Sequence, residues 1–162
     1  MRIGILSDTH DKQDRTRRAI DILRSQKAEA LIHCGDVTSS PILAELTGLP
    51  SWFVLGNNDV DDSADLERMA RELGVNFLGS GGLVELAGKR IGIVHGHLYH
   101  DIRRLLAARP DYLLYGHTHI PASEKIDGVH RINPGALHRA PKFSVATLDL
   151  ENGNLLFHDV PR

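Results

Sequence analysis

Three short apolar, β-branched runs early in the chain each stop at an acid, an amide or a glycine, and helical stretches separate them. That alternation restricts the fold more than any other feature. Arg2–Ser7 ends at Asp8, Ala30–His33 ends at Gly35-Asp36, and Ser51–Leu55 ends at Gly56-Asn57-Asn58-Asp59. Between the first two, Ala19, Ile20 and Leu23 share one helical face, with Asp14 as the expected cap. Ser40-Pro41 opens a second helix through Leu46, because proline suits a helix's first position, and a third helix over residues 64–73 stops at Gly74. Strand–helix–strand units require right-handed crossovers and therefore build a parallel sheet.

After Gly74 the pattern changes. Leu83–Leu86 and Arg90–Val94 flank Ala87-Gly88-Lys89 as a hairpin, a helix follows through Ile102, Leu105 and Leu106, and Tyr112–Tyr115 reads as another strand. Residues 120–126, 129–132, 143–148 and 155–158 are strand-like, with turns at Asp127-Gly128 and Asn152-Gly153 and no helix among them. Hairpin-linked strands pair antiparallel, so the chain predicts an α/β fold of mixed sheets, with its ligand site beyond the carboxyl ends of the early strands. Its 162 residues contain no repeat, linker or low-complexity run, and residues 1–162 are read as one domain.

Composition narrows the function. Nineteen basic against twenty-one acidic residues give a net charge of −2, and aromatics are only 5%, so neither a broad positive field nor a stacking surface signals nucleic-acid binding. No apolar stretch approaches the roughly 20 residues of a membrane span. The start reaches Asp8 too soon for a signal peptide, and the single cysteine, Cys34, has no intramolecular partner. Those features make the cytoplasm the expected compartment, while oligomeric state is not encoded. The outlier is ten histidines, five of which (His95, His97, His100, His117 and His119) fall within 25 residues.

The predicted strand ends carry Asp8-Thr9-His10, Gly35-Asp36, Gly56-Asn57, His95-Gly96-His97 and Gly116-His117-Thr118-His119. Taken singly, a strand-end aspartate is more often a cap and a lone histidine a satisfied polar residue. Five such motifs at successive strand ends reverse that reading. Carboxylate, amide oxygen and imidazole form a mixed O/N donor set suited to manganese, iron, zinc or nickel. Asp8, His10, Asp36, Asn57, His95, His117 and His119 are too many donors for one ion, so they divide between two. Asp36, beside the flexible Gly35, is the best bridge, and residues two apart on extended chain share a side, so Asp8 joins His10 and His117 joins His119. Two divalent ions over two carboxylates leave an excess of positive charge that suits an anionic phosphate ester, attacked in line by a hydroxide bridging the ions. Asn57 contributes oxygen to this chemistry without adding charge.

In order and spacing these motifs, with Ile132-Asn133-Pro134-Gly135, resemble the calcineurin-like metallophosphoesterases, and among them the small YfcE-like phosphodiesterases, over almost the whole chain. The resemblance implies a four-layer αββα sandwich of two mixed sheets and hydrolysis of a small phosphate ester, a diester more than a monoester. It implies that Asp8, His10 and His119 with Asp36 hold one metal, and that Asn57, His95 and His117 with Asp36 hold the other, manganese first and nickel, zinc or iron as alternatives. One departure stands out. Many members place a proton-donating histidine after the Gly-Asn pair, where this chain has Asn58, which cannot protonate a leaving group. A positioned acid contributes roughly 10²–10⁴-fold, so His97 is the expected deputy, with Asn58 and His97 facing the substrate. The same fold also serves as the scaffold subunit of the retromer coat, so a protein-binding module is the alternative function. The remaining residues read as structural: Arg15, Arg17 and Arg18 as a solvated helix face, His33 as a support behind a ligand, His130, His138 and His158 without partners, and residues 59–64 as a loop that shapes specificity.

Overall fold

The computed structural model describes residues 1–162. The first half alternates as read: β1 (Arg2–Leu6), α1 (Gln13–Ser25), β2 (Ala30–His33), α2 (Ser40–Glu45), β3 (Ser51–Phe53), α3 (Ser63–Leu73) and the two-residue β4 (Asn76–Phe77). The second half runs β5 (Gly81–Leu86), β6 (Lys89–Val94), α4 (Tyr99–Ala107), β7 (Tyr112–Leu114), β8 (Ala122–Ile126), β9 (Val129–Asn133), β10 (Phe143–Asp149) and β11 (Leu155–Val160). One sheet has the order β11-β10-β1-β2-β3-β4 and the other β5-β6-β7-β9-β8. Strands β1 to β4 are mutually parallel, whereas β10 joins β1 antiparallel. In the second sheet the hairpins β5–β6 and β8–β9 are antiparallel, and β7 lies parallel to both β6 and β9.

Burial explains the layers. Strands β1 and β2 are covered on both faces, which is why they read as unbroken apolar runs. Leu6, Leu31 and Phe53 pack against Ile20, Leu23, Leu43 and Leu66 of the three helices. Ile3, Ile5 and Ile32 instead meet Ile91, Ile93, Leu114 and Ile132 of the second sheet. The outer face of that sheet is closed by Leu105 of α4 over Val94, Leu113 and Val129. The result is a helix–sheet–sheet–helix sandwich. Its registers carry the chain out of β1, β2 and β3, and out of β6 and β7, at one common end.

Several local expectations need correction. Asp14 lies inside the first turn of α1, and the cap position is Lys12, with no side-chain hydrogen bond. Strand β3 ends at Phe53, short of Leu55, and β4 carries no sequence signal because two residues give no periodicity. Gly74 caps α3 in the left-handed conformation, φ 72°, as its position implies.

Candidate metal centre

All seven donors named from the sequence gather at that common end. Nε2 of His119 lies 3.0 Å from Oδ1 of Asp8, and Nε2 of His10 lies 3.2 Å from Oδ2 of Asp36. Nε2 of His95 sits 3.5 Å from Oδ2 of Asp36 and 3.2 Å from Oδ1 of Asn57, and Nδ1 of His117 is 3.1 Å from that same amide oxygen. Asp8, Asp36 and His95 form a buried floor, His10 and His119 are half-buried, and Asn57 and His117 are exposed at the mouth. The largest surface cavity, about 430 Å³ between Leu106, Arg109 and Val129, lies away from these donors at the amino-terminal side of β7.

Convergence does not come from strand alternation, as the sequence reading held. Asp8, His10, Asp36, His117 and His119 all adopt left-handed backbone, with φ of 54°, 41°, 58°, 66° and 61°. Each such non-glycine residue costs about 1–2 kcal/mol, and clusters of them mark functional sites. Two glycines make the approach possible. At Gly35, φ 95°, a Cβ would come 2.7 Å from Nδ1 of His95, and at Gly56 it would overlap the Asp36 carboxylate.

Three observations test whether this cluster fits cations. First, Oδ1 of Asp8 and Nε2 of His10 are buried and make no well-directed hydrogen bond despite close neighbours at 3.0 and 3.2 Å, a costly state that a metal ion would relieve. Second, Nδ1 of His95 donates to the Cys34 carbonyl at 2.8 Å, and Nδ1 of His119 to the Arg139 carbonyl at 3.3 Å. A carbonyl only accepts, so each Nε2 is left as a lone pair turned to the centre, the usual support for a metal-ligating imidazole. Third, burial opposes ionisation of Asp36, yet its contacts with His10 and His95 and the Asn58 N–H hold it far below the usual carboxylate range. Burial likewise disfavours a charged His95, but Asp36 and Asp8 outweigh it and raise its affinity for a proton. Negative charge that attracts a proton attracts a divalent cation more strongly. Asp8, His10 and His119 form one group of donors within 4.8 Å of one another, and Asp8, Asp36 and His95 form a second.

The family profile of the calcineurin-like phosphoesterase superfamily domain matches residues 1–153. The chain belongs to that superfamily. Phosphodiesterase MJ0936 of Methanocaldococcus jannaschii is 34% identical over 139 residues, 83% of each chain. Phosphodiesterase YfcE of Escherichia coli is 24% identical over 155 residues, 85% of this chain and 79% of its own, and its structure shares the fold at a TM-score of 0.69 and 20% identity. The structure of an archaeal phosphodiesterase superposes with a TM-score of 0.88 at 29% identity, covering 99% of this chain and 100% of its own.

Other residues around the centre bear on their sequence reading in different ways. Asn58, expected to face the substrate, also contacts the candidate shared ligand: its N–H and Nδ2 donate to Oδ1 and Oδ2 of Asp36 at 2.9 and 2.7 Å. His97 stands at the rim, its ring 5.4 Å from that of His95 and 6.1 Å from that of His117, with a buried Nδ1 that has no partner. Burial, then the charges of His95 and His117, lower its pKa. His138, read as structural, lies with its ring tilted 4.8 Å from that of His10. Asp59, read as part of a loop that shapes specificity, is wholly buried and accepts N–H groups from Gly56, Thr38 and Val37 at 2.7, 2.7 and 3.2 Å. Its sequence neighbours gave no sign of this, because two of the three donors, Val37 and Thr38, lie on another loop. His33 does support the ligand loops: Nδ1 accepts from the Gly35 N–H, and Nε2 lies 3.1 Å from the Thr9 hydroxyl.

Proposed function

We propose that this chain is a phosphodiesterase acting through a pair of divalent cations, manganese first, with nickel, zinc and iron compatible with the same donors. Asp8, His10 and His119 hold one cation, Asn57, His95 and His117 hold the other, and Asp36 serves both. The observation that carries this reading is the buried floor of Asp8 and Asp36 facing imidazoles whose far nitrogens are tied to main-chain carbonyls. The phosphodiesterases among its relatives support a diester over a monoester. Held by these residues, the cations would supply Lewis-acid polarisation of the phosphoryl group and activation of water for in-line attack at phosphorus.

The chain's own residues do the rest. Asn57 contributes a neutral oxygen, which preserves the excess positive charge that draws in an anionic ester. Asn58 clamps both oxygens of Asp36 and so fixes the shared carboxylate. His97, with a partnerless Nδ1 at the rim, hands a proton to the departing alkoxide from its imidazolium form, which its lowered pKa makes the minor form at neutral pH. The substrate is a small phosphate ester that reaches the exposed side of Asn57 and His117. No helix is long and apolar enough to cross a membrane, and we place the enzyme in the cytoplasm.

A panel of phosphodiesters with leaving groups of graded pKa, assayed with manganese, tests this assignment. His97→Ala should lower turnover about 10²-fold on alkyl leaving groups and only slightly on nitrophenyl ones, because a good leaving group needs no acid. An equal loss across the series would remove His97 from proton transfer. Absence of turnover in the wild type would remove the phosphodiesterase reading itself.

A further inference from the structure

Beside the metal centre the surface turns basic in a way that the net charge of −2 does not predict. A cavity of about 380 Å³ with no hydrophobic lining opens at the start of α1, between Asp11, Lys12, Asp14, Arg15 and Arg18. Arg15 anchors its wall. The guanidinium lies 3.7 Å from the centre of the Phe143 ring, donates from Nη1 to the Leu137 carbonyl at 2.6 Å, and keeps a buried Nε with no partner. Arg162 approaches the same ring at 5.1 Å. Neither arginine has a carboxylate partner, and Lys12 and Arg18 form no ion pair. Of the two acids on the rim, Asp14 turns to Arg17 at 3.6 Å, leaving Asp11 alone against the cations.

Crowded like charges normally recruit an acid. Here none is in place, and burial, then Arg18 and Arg162, depress the pKa of Arg15. The cluster also borders the catalytic end. Lys12 follows His10 by two residues, and the His138 ring lies tilted 4.8 Å from that of His10. A stacked, carbonyl-anchored Arg15 is held in place before any ligand arrives, which reduces the entropy lost on binding. Arginine forks match phosphate oxygens, and a net positive rim next to a phosphate-ester centre has an anion as its natural counterpart.

We propose that this basic rim is a subsite for a second phosphate group of the substrate, so that the preferred class is a phosphodiester with an additional phosphate on one ester arm. The inference rests on the phosphodiesterase reading and adds to it the recognition of that arm. Lys12 and Arg18 supply mobile contacts at the mouth, and Arg15 supplies the fixed charge behind them.

Two measurements test it. In the first, inorganic tripolyphosphate is titrated calorimetrically into EDTA-treated protein at low salt. The exposed double variant K12Q/R18Q should bind at least tenfold more weakly than wild type, whereas Arg71→Gln, the same kind of charge change on α3, should match wild type. Equal binding by wild type and K12Q/R18Q overturns the subsite. In the second, the manganese-loaded protein hydrolyses a thymidine dinucleotide with and without a terminal phosphate. The ratio of the two kcat/KM values should favour the phosphorylated form and should fall about tenfold or more in K12Q/R18Q. An unchanged ratio overturns the proposal. If neither dinucleotide is hydrolysed, the phosphodiesterase reading fails, and tripolyphosphate binding still judges the subsite by itself.

Discussion

Asp36 is the residue on which both halves of the proposed centre depend, since His10 lies 3.2 Å from its Oδ2 on one side and His95 3.5 Å on the other. Asp36→Asn should therefore abolish binding of both cations, whereas His10→Ala should chiefly empty one. Elemental analysis of purified, manganese-loaded variants separates these outcomes, and two retained ions in Asp36→Asn would contradict a shared ligand. His33 gives a prediction of a different kind. Burial, then the charge of His95, lowers its pKa to about 3 from an ordinary 6.5. Between those values the unfolded chain binds a proton that the folded chain refuses, so stability is complete above about pH 6.5 and falls as the solution is acidified. His33 alone should cost about 2 kcal/mol at about pH 5. Urea unfolding of EDTA-treated protein should show this loss reduced in His33→Gln, and an identical pH dependence in the variant would contradict it. The candidate donors could be picked out at this scale because the donor types recur beside glycines at strand ends. The roles of Asn58 and His138 could not, because the Asp36 and His10 side chains they meet are brought to them by the fold.

At the scale of elements, the loop after β2 and the loop after β3 are fastened to each other by Asp59. Its carboxylate has no cationic side chain beside it and is stabilised by three main-chain N–H groups. Asn133 does the same for the loop after β7: its Nδ2 donates to the Gly116 carbonyl at 2.8 Å and to the Thr118 hydroxyl at 3.0 Å. Asp59→Ala should lower stability by about 2–4 kcal/mol, because three buried donors lose their acceptor. It should also weaken manganese binding, since those donors flank Asp36 and Asn57. Denaturation and metal titration check the two parts, and a variant that lost neither would show the clamp to be dispensable. The elements themselves were largely readable: three of the four helices end within a residue or so of their predicted positions, since apolar spacing, Pro41 and Gly74 are local signals. What escaped depended on partners distant in sequence. Strand β4 exists by pairing with β3, and the left-handed turns at Asp8, His10, His117 and His119 replace the extended chain expected there.

For the whole molecule, the decisive event is the packing of one sheet on the other. Asp8, His10, Asp36 and Asn57 come from loops of the first sheet, and His95, His117 and His119 from loops of the second. Ile3, Ile5 and Ile32 against Ile91, Ile93 and Leu114 hold these two sets of donors in register. The seven candidate donors therefore come together only in the folded sandwich, and the proposed cation pair would stabilise it. Anomalous diffraction from crystals soaked in manganese tests this account most directly. It predicts two peaks about 3.5–4 Å apart, with Asp36 between them and the other six donors divided around them. A single peak, or manganese bound elsewhere with Asp36 free of it, would contradict the account.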